Sequence, residues 1–369
     1  MITLEKIHFR YAGAADAGGL SDVSLTIPDG QVVLLCGPSG CGKTTVTRLI
    51  NGLIPHFYEG ELTGEVYVNG EAVSRLPLYQ TARMVGSVFQ NPRTQFFTVD
   101  STSEMAFGCE NQGLAEEVIK ERILSTADRF GLQGLLGKSI FEMSGGEKQK
   151  VACASVAVSD PPVIVLDEPS SNLDVSATME LRRMLSVWKK QGKTILIAEH
   201  RLYYLIGLLD RIVYMKEGRI CAEYTEREMR KMPVREQIKM GLRPFELSKF
   251  PVKHRREVAG ESIVLSDFTF SYRKKEALVK IDRLTLPKGA VVALIGHNGA
   301  GKSTLARCLC GLEKGAGGRL DIGQKTYGRR KRLKSCYMVM QDVNHQLFTE
   351  SVYEETAISM ARPDEEEIS

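Results

Sequence analysis

A nine-residue glycine-rich stretch occurs twice in this chain, and that repetition constrains the fold more than any other feature. Gly37-Pro38-Ser39-Gly40-Cys41-Gly42-Lys43-Thr44-Thr45 returns as Gly296-His297-Asn298-Gly299-Ala300-Gly301-Lys302-Ser303-Thr304. Lys302 follows Lys43 by 259 residues. Phe9-Arg10-Tyr11 returns as Phe270-Ser271-Tyr272, 261 residues on. Val88-Phe89-Gln90 with Gln95-Phe96-Phe97-Thr98 returns as Val339-Met340-Gln341 with Gln346-Leu347-Phe348-Thr349, 251 residues on. Glu104 and Ala106 match Glu355 and Ala357 at the same spacing. Three anchors in one order, at nearly constant spacing, mark a tandem duplication. The expected organisation is a complete copy over 1–224, a joining segment over 225–260 and part of a second copy over 261–369.

The length of 369 residues fits two domains, or one plus a piece. With 43% apolar and 25% charged residues, wholesale disorder is excluded. The net charge of +4 is too mild to argue for a nucleic-acid partner. No apolar run approaches the roughly 18 residues that span a bilayer. The start, Met1-Ile2-Thr3-Leu4-Glu5-Lys6, lacks the pattern of a secretory leader. Eight cysteines are scattered without C-x-x-C pairs, and several sit inside apolar runs. A reducing compartment, with no disulfide and no zinc site, is the expectation. The joining segment is basic and carries Pro233, Pro244 and Pro251. It reads as a solvated linker with some helix, or as a basic surface facing anionic headgroups or RNA. The run Arg329-Arg330-Lys331-Arg332 reads as a solvated face.

Each glycine stretch follows a short apolar run, Val32–Leu35 or Val291–Ile295, expected to be a buried strand. Helical sequence follows at Thr45–Asn51 and Thr304–Leu309. Strand, G-x-x-x-x-G-K-[ST], helix is the context of a phosphate-binding loop. Glycines let backbone N–H groups wrap phosphates, and the helix N-terminus adds positive potential. Lys43 would bridge the β- and γ-phosphates, and Thr44 would ligate Mg2+.

Val163–Asp167 and Glu168 read as a second buried strand ending in two carboxylates, a costly arrangement unless used. Asp167 fits a Mg2+-holding position, and Glu168 could orient or deprotonate a water in line with the γ-phosphate. Ser144-Gly145-Gly146-Glu147 opens a helical stretch to Val158 and offers N–H donors to an anion. Ile195–His200 reads as another strand, ending in a histidine. Ligands of open α/β sheets bind at the carboxyl ends of strands.

In this order the features resemble an ATP-binding cassette (ABC) ATPase, over Met1–Tyr224 and again over Ser262–Ser369. The resemblance implies an α/β phosphate-loop NTPase: a RecA-like core, an antiparallel β subdomain and a helical subdomain, in tandem, with the second copy incomplete. It implies ATP and Mg2+ as cofactors. Tyr11, and by the repeat Tyr272, match the aromatic that stacks on adenine. Gly37, Pro38, Ser39, Gly40, Cys41, Gly42, Lys43, Thr44 and Thr45 match Walker A. Gln90 matches the Q-loop glutamine that touches Mg2+ and faces the membrane partner. Ser144, Gly145, Gly146 and Glu147 match the signature that caps nucleotide on an opposite cassette. Met143 and Glu147 depart from the commoner Leu and Gln there, in a manner compatible with the role. Asp167 and Glu168 match Walker B and the catalytic base, Ser171 to Asp174 the D-loop, and His200 the switch histidine. In the second copy, Gly296 to Thr304 take the nucleotide-binding role, and Ser303 and Gln341 the metal positions.

The contexts Gln90-Asn91-Pro92, Ala106-Phe107-Gly108 and Ala198-Glu199-His200-Arg201-Leu202 resemble the ATPases of energy-coupling factor (ECF) importers, including double-cassette forms. That implies a motor on the cytoplasmic face of the cell membrane. Its partners would be an integral membrane transmembrane subunit, a substrate-binding membrane subunit and a second ABC cassette, from another copy or a paralogue. Its cargo would be a vitamin or a transition-metal ion, with no nucleic acid expected. A second signature is due near position 395, beyond residue 369. The sequence therefore reads as a truncated double-cassette protein whose full form runs to about 480–500 residues. Two first cassettes from two chains, head to tail, would complete its sites. Rival readings are a soluble tandem ABC ATPase acting on ribosomes or nucleic acid, and a nucleotide-binding fragment without hydrolysis.

Overall fold

Short β-branched apolar runs, each ending in glycine or acid, fix the centre of the fold. The computed structural model describes residues 1–13, 19–246, 248, 262–272, 278–340 and 346–360. The chain divides into two units, Met1–Lys253 and His254–Ser369.

The first unit begins β1 (Ile2–Tyr11), β2 (Leu20–Ile27), β3 (Val32–Cys36), α1 (Lys43–Ile50), α2 (Leu53–His56), β4 (Gly60–Val68) and β5 (Glu71–Ala72). It continues α3 (Leu78–Met84), β6 (Val85–Val88), α4 (Ser101–Asn111), α5 (Glu116–Phe130) and α6 (Gly145–Ser159). It ends β7 (Val163–Asp167), α7 (Val175–Lys190), β8 (Thr194–Ala198), β9 (Arg211–Lys216), β10 (Arg219–Tyr224), α8 (Glu226–Lys231) and α9 (Val234–Lys239).

Six strands form one sheet in the order β10-β9-β3-β8-β7-β6, parallel from β9 to β6. Parallel strands covered on both faces read as unbroken apolar runs. Successive side chains point to opposite faces. Val32, Leu34 and Cys36 accordingly enter one core with α5, α6 and α7, while Val33 and Leu35 enter another with β1, β2 and α1. The second sheet, β2-β1-β4-β5, is antiparallel. The helices carry their own punctuation: Ser144 and Glu147 form a capping box on α6, and Gly131 closes α5 at φ 66°.

Two boundaries are shorter than the sequence reading. The strands stop at Asp167 and Ala198, so Glu168 and His200 lie on the turns beyond. Glu168 adopts φ 44°, while its N–H still donates to the Ala198 carbonyl at 2.8 Å. The basic stretch after Tyr224 also differs from a solvated linker. Residues 225–246 pack on the first unit, with Met229, Leu242 and Phe245 buried in its core. Residues 249–261 lie outside the described residues.

The second unit holds β11 (Ser262–Phe270), β12 (Val279–Pro287), α10 (Lys302–Cys310), β13 (Gly317–Ile322), β14 (Lys325–Thr326), α11 (Arg329–Ser335) and α12 (Val352–Ser359). Its antiparallel sheet runs β12-β11-β13-β14. The strand expected at Val291–Ile295 does not form, and Val291 and Ile295 are exposed. In the first unit β3 is held by β8 and β9 on its two sides. Among the described residues of the second unit, no strand runs beside 291–295, so its backbone groups have no ladder to join. Gln341 lies outside the described residues.

Candidate nucleotide site

Four strand ends build the site. Cys36, Asp167 and Ala198 finish adjacent parallel strands, and Val88, the last residue of β6, pairs with Leu166 at the sheet's far side. The chain leaves those ends through Gly37, Asp167-Glu168, Glu199-His200 and Phe89-Gln90. A doubly wound sheet places loops from neighbouring strands together at its carboxyl edge.

The glycine loop is tightly held. A Cβ at Gly37 would fall 2.1 Å from the Met215 carbonyl oxygen, and one at Gly42 2.6 Å from Leu20 Cδ2. Gly42 (φ 102°) caps α1, so Lys43, Thr44 and Thr45 open that helix. Lys43 is 4% exposed. Its Nζ donates to the carbonyls of Gly37 (3.1 Å) and Pro38 (3.0 Å) and approaches Cys41 Sγ at 3.6 Å. A lysine folded into its own loop carries a positive charge to the place where phosphate would lie. Ser39 and Gly40 stay exposed at the rim.

Thr44 Oγ1 donates to Asp167 Oδ1 at 3.1 Å. Burial pushes the Asp167 carboxyl above the ordinary aspartate value, and the Thr44 bond offsets this only in part. A desolvated carboxylate beside a threonine hydroxyl at a helix start suits a hard cation.

The Glu168 carboxylate meets two other side chains. Its Oε2 accepts from Gln90 Nε2 at 3.1 Å, and its Oε1 lies 3.2 Å from His200 Nε2. The His200 bond holds its carboxyl below the ordinary glutamate value, against the effect of burial. Its left-handed backbone costs on the order of 1–3 kcal/mol and turns the carboxylate toward both partners. Ser171 Oγ reaches the Gln90 carbonyl at 3.4 Å, which ties the next turn to the same cluster.

Other candidates fall near but serve local structure. Asp174 caps α7 by accepting from Ala177 N at 2.9 Å. Ser144 accepts from Glu147 N, and Glu147 answers by accepting from Ser144 N at 2.9 Å. Gly145 and Ser144 are exposed, so the donors of this helix start face outward. Tyr11 packs edge-on to Phe9 and Tyr58, and its hydroxyl meets Thr45 Oγ1 at 3.2 Å.

In the second unit the same loop recurs as local geometry. Gly301 (φ 85°) caps α10, and Lys302 Nζ donates to Gly296 (2.9 Å) and His297 (2.7 Å). Tyr272 sits edge-on to Phe270 with its hydroxyl on Glu313. Asn298, Gly299 and Ala300 are exposed, as is Ser303. Among the described residues of this unit, no acid stands to Ser303 as Asp167 stands to Thr44.

Three supporting residues escape motif reading. Glu199, 2% exposed, accepts from His200 N (2.7 Å), Arg201 N (3.0 Å), Ser170 N (3.3 Å) and Tyr204 Oη (3.0 Å). It thereby binds the His200 turn to the turn after Glu168. Arg201 donates to the carbonyls of Leu173 and Ser171. Arg48 lies over the Tyr58 ring at 3.9 Å and donates to Tyr11 Oη at 3.0 Å. Glu199 and Arg201 stand in the Ala198–Leu202 context read from the sequence, which gave them no role of their own.

The sequence profile of the ABC transporter family matches residues 20–171 and 279–368. A Treponema denticola relative, named for an ABC transporter ATP-binding protein, is 45% identical over 98% of this chain and 75% of its own length. A Methanosarcina acetivorans relative of the same description is 32% identical over 97% of this chain and 67% of its own. Among solved structures, CbiO1 from Clostridium perfringens, described as part of the ABC transporter complex CbiONQ, superposes with a TM-score of 0.55. It is 28% identical and matches 65% of this chain and 97% of its own.

Proposed function

The chain belongs to the ABC transporter family, and from that premise we propose that it is the ATP-hydrolysing subunit of an ECF-type importer, energising uptake of a vitamin or transition-metal ion. One observation carries the ATPase reading: the strand ends bring Lys43, Thr44 and Asp167 together with the Gln90–Glu168–His200 cluster. Gly37 to Thr45 wrap the phosphates, and Lys43 turns from its loop carbonyls to the β- and γ-phosphates. Thr44, Asp167 and Gln90 would hold Mg2+, whose charge offsets that of the phosphates. Glu168, kept ionised by His200, orients and deprotonates the attacking water. Gln90 and His200 hold that carboxylate in place.

The ECF reading rests on the sequence contexts around Gln90, Phe107 and His200, and on the likeness to CbiO1. Among the described residues no helix is long and apolar enough to cross a membrane. A groove of about 630 Å3 beside the Gln90 loop, lined by Leu78, Tyr79, Phe89, Phe97 and Phe107, fits a membrane subunit. The outward Ser144 helix start serves a second cassette. On this reading the chain would work at the cytoplasmic face of the membrane.

Glu168→Gln tests the catalytic assignment. The variant is expected to bind ATP with unchanged affinity and lose turnover by at least a hundredfold. Turnover within a few-fold of the parent protein removes Glu168 as the base. Isolation with an integral membrane partner tests the importer reading, and association with ribosomes instead rejects it.

A further inference from the structure

Glu199 is a buried acid that the proposed hydrolysis leaves without a part. It is 2% exposed, and its N–H donates to the Leu35 carbonyl at 3.1 Å, so it stands beside the strand that feeds the phosphate loop. Its two oxygens face different neighbours. Oε1 accepts from the His200 N–H at 2.7 Å and the Arg201 N–H at 3.0 Å. Oε2 accepts from the Ser170 N–H at 3.3 Å and from Tyr204 Oη at 3.0 Å. An ionised carboxylate offers about four acceptor positions, and these donors fill them.

Three of the donors are backbone groups on two turns. His200 and Arg201 follow β8, and Ser170 lies on the turn that follows β7 and carries Glu168. Other bonds tie the same turns. The Glu168 N–H donates to the Ala198 carbonyl at 2.8 Å, and the Ser171 N–H to the Glu168 carbonyl at 3.1 Å. The Arg201 guanidinium reaches back to the carbonyls of Leu173 (2.9 Å) and Ser171 (3.3 Å). His200 Nε2 meets Glu168 Oε1 at 3.2 Å across these two turns. That contact depends on how far apart the two backbones stand, and a carboxylate bonded to both of them sets the spacing.

We propose that Glu199 is a positioning residue for ATP hydrolysis, holding the His200 turn at the distance from the Glu168 turn that the His200–Glu168 contact needs. The assignment rests on the reading of Glu168 as the base and of His200 as the group that holds it. None of the four donors comes from the glycine loop, so nucleotide binding does not pass through them. A misplacement of about 1 Å at reacting groups costs up to about a hundredfold in rate. Glu199→Gln keeps the size of the side chain and turns one acceptor into a donor. That donor faces a backbone N–H on whichever side it lies.

The test is a double-mutant cycle on the full chain: the parent protein, Glu199→Gln, His200→Ala and the double variant. Each is assayed below the onset of its thermal melt, for slow turnover by release of radiolabelled phosphate and for affinity toward a non-hydrolysable ATP analogue. Glu199→Gln is expected to lower kcat at least about tenfold and to keep analogue affinity within about twofold. In the His200→Ala background the same substitution is expected to change kcat less than about twofold, because the group it positions is gone. Tyr204→Phe takes one donor from the same carboxylate. It is expected to give a smaller loss with the same dependence on His200, and it carries the cycle where Glu199→Gln does not fold. An equal loss in both backgrounds overturns the proposal, as does a fall in analogue affinity as large as the fall in kcat, the pattern of a general structural weakening. Unchanged kcat in Glu199→Gln overturns it too. A parent protein without turnover, or a His200→Ala variant as fast as the parent, removes the reading of Glu168 and His200 itself, and the proposal with it.

Discussion

At the scale of single residues, two adjacent carboxylates are pushed in opposite directions. Asp167 is raised by burial, whereas Glu168 is lowered by its bond to His200. A carboxyl whose folded pKa lies above its unfolded one costs stability when ionised, so Asp167 weakens the fold at neutral pH. Asp167→Asn keeps an oxygen for the Thr44 hydroxyl and removes that charge. It is expected to raise Tm by a few degrees at pH 7 while abolishing turnover. The gain shrinks as pH falls through the raised folded pKa, and is gone below the unfolded aspartate value near 4. Glu168 has the other sign: its contribution is present above the unfolded glutamate value and is lost as pH falls through the depressed folded pKa. Glu168→Gln should thus lower Tm slightly at pH 7 and leave it unchanged in strong acid. Thermal melts of both variants between pH 3 and 7 check the pair. Two melts displaced in the same direction at pH 7 contradict the assignment.

At the scale of elements, legibility followed chemistry that is local in the chain. The loop–helix unit Gly37–Ile50 was readable because glycine, lysine and threonine act within nine positions. The strands β3, β7 and β8 were readable because both of their faces are buried. Glu199 was not, since its four donors come from three separate turns. The packing of 225–246 was hidden for a related reason: its anchors Met229, Leu242 and Phe245 are sparse among exposed charges. The strand expected at Val291–Ile295 failed because local propensity requires a pairing neighbour. Glu104 is a further element-scale latch. It sits in the first turn of α4, 3% exposed, and accepts from Phe97 N (3.0 Å), Thr98 N (2.9 Å) and Thr98 Oγ1 (3.0 Å). Glu355 on α12 repeats the pattern with Phe348 and Thr349. A helix N-terminus favours the carboxylate, and the three donors would otherwise be unpaired. Glu104→Ala is expected to cost about 2–3 kcal/mol and to speed amide exchange at Phe97 and Thr98. A loss under about 0.5 kcal/mol in denaturant titration contradicts the latch.

At the scale of the whole molecule, the two units differ in how they treat apolar sequence. The first buries each of its five-residue strand runs against two cores. The described residues of the second bury a small cluster, Leu265, Phe268, Phe270, Val279, Leu305 and Cys308. Outside it, Val291, Ile295, Tyr337 and Val339 are each more than four-fifths exposed. Contiguous exposed apolar surface drives association, and β-branched runs without a partner do so through their free backbone groups as well. A net charge of +4 on 369 residues supplies little repulsion against it. The full chain is therefore expected to self-associate at micromolar concentration through the second unit. Val291→Ser with Ile295→Ser removes the most exposed β-branched pair and changes no residue of the first unit. The double variant should shift the onset of association, read by sedimentation velocity, to severalfold higher concentration, with ATP-analogue affinity at the first loop unchanged. An onset that does not move places the sticky surface elsewhere. An onset that moves together with a fall in first-loop affinity contradicts the assignment of this effect to association alone.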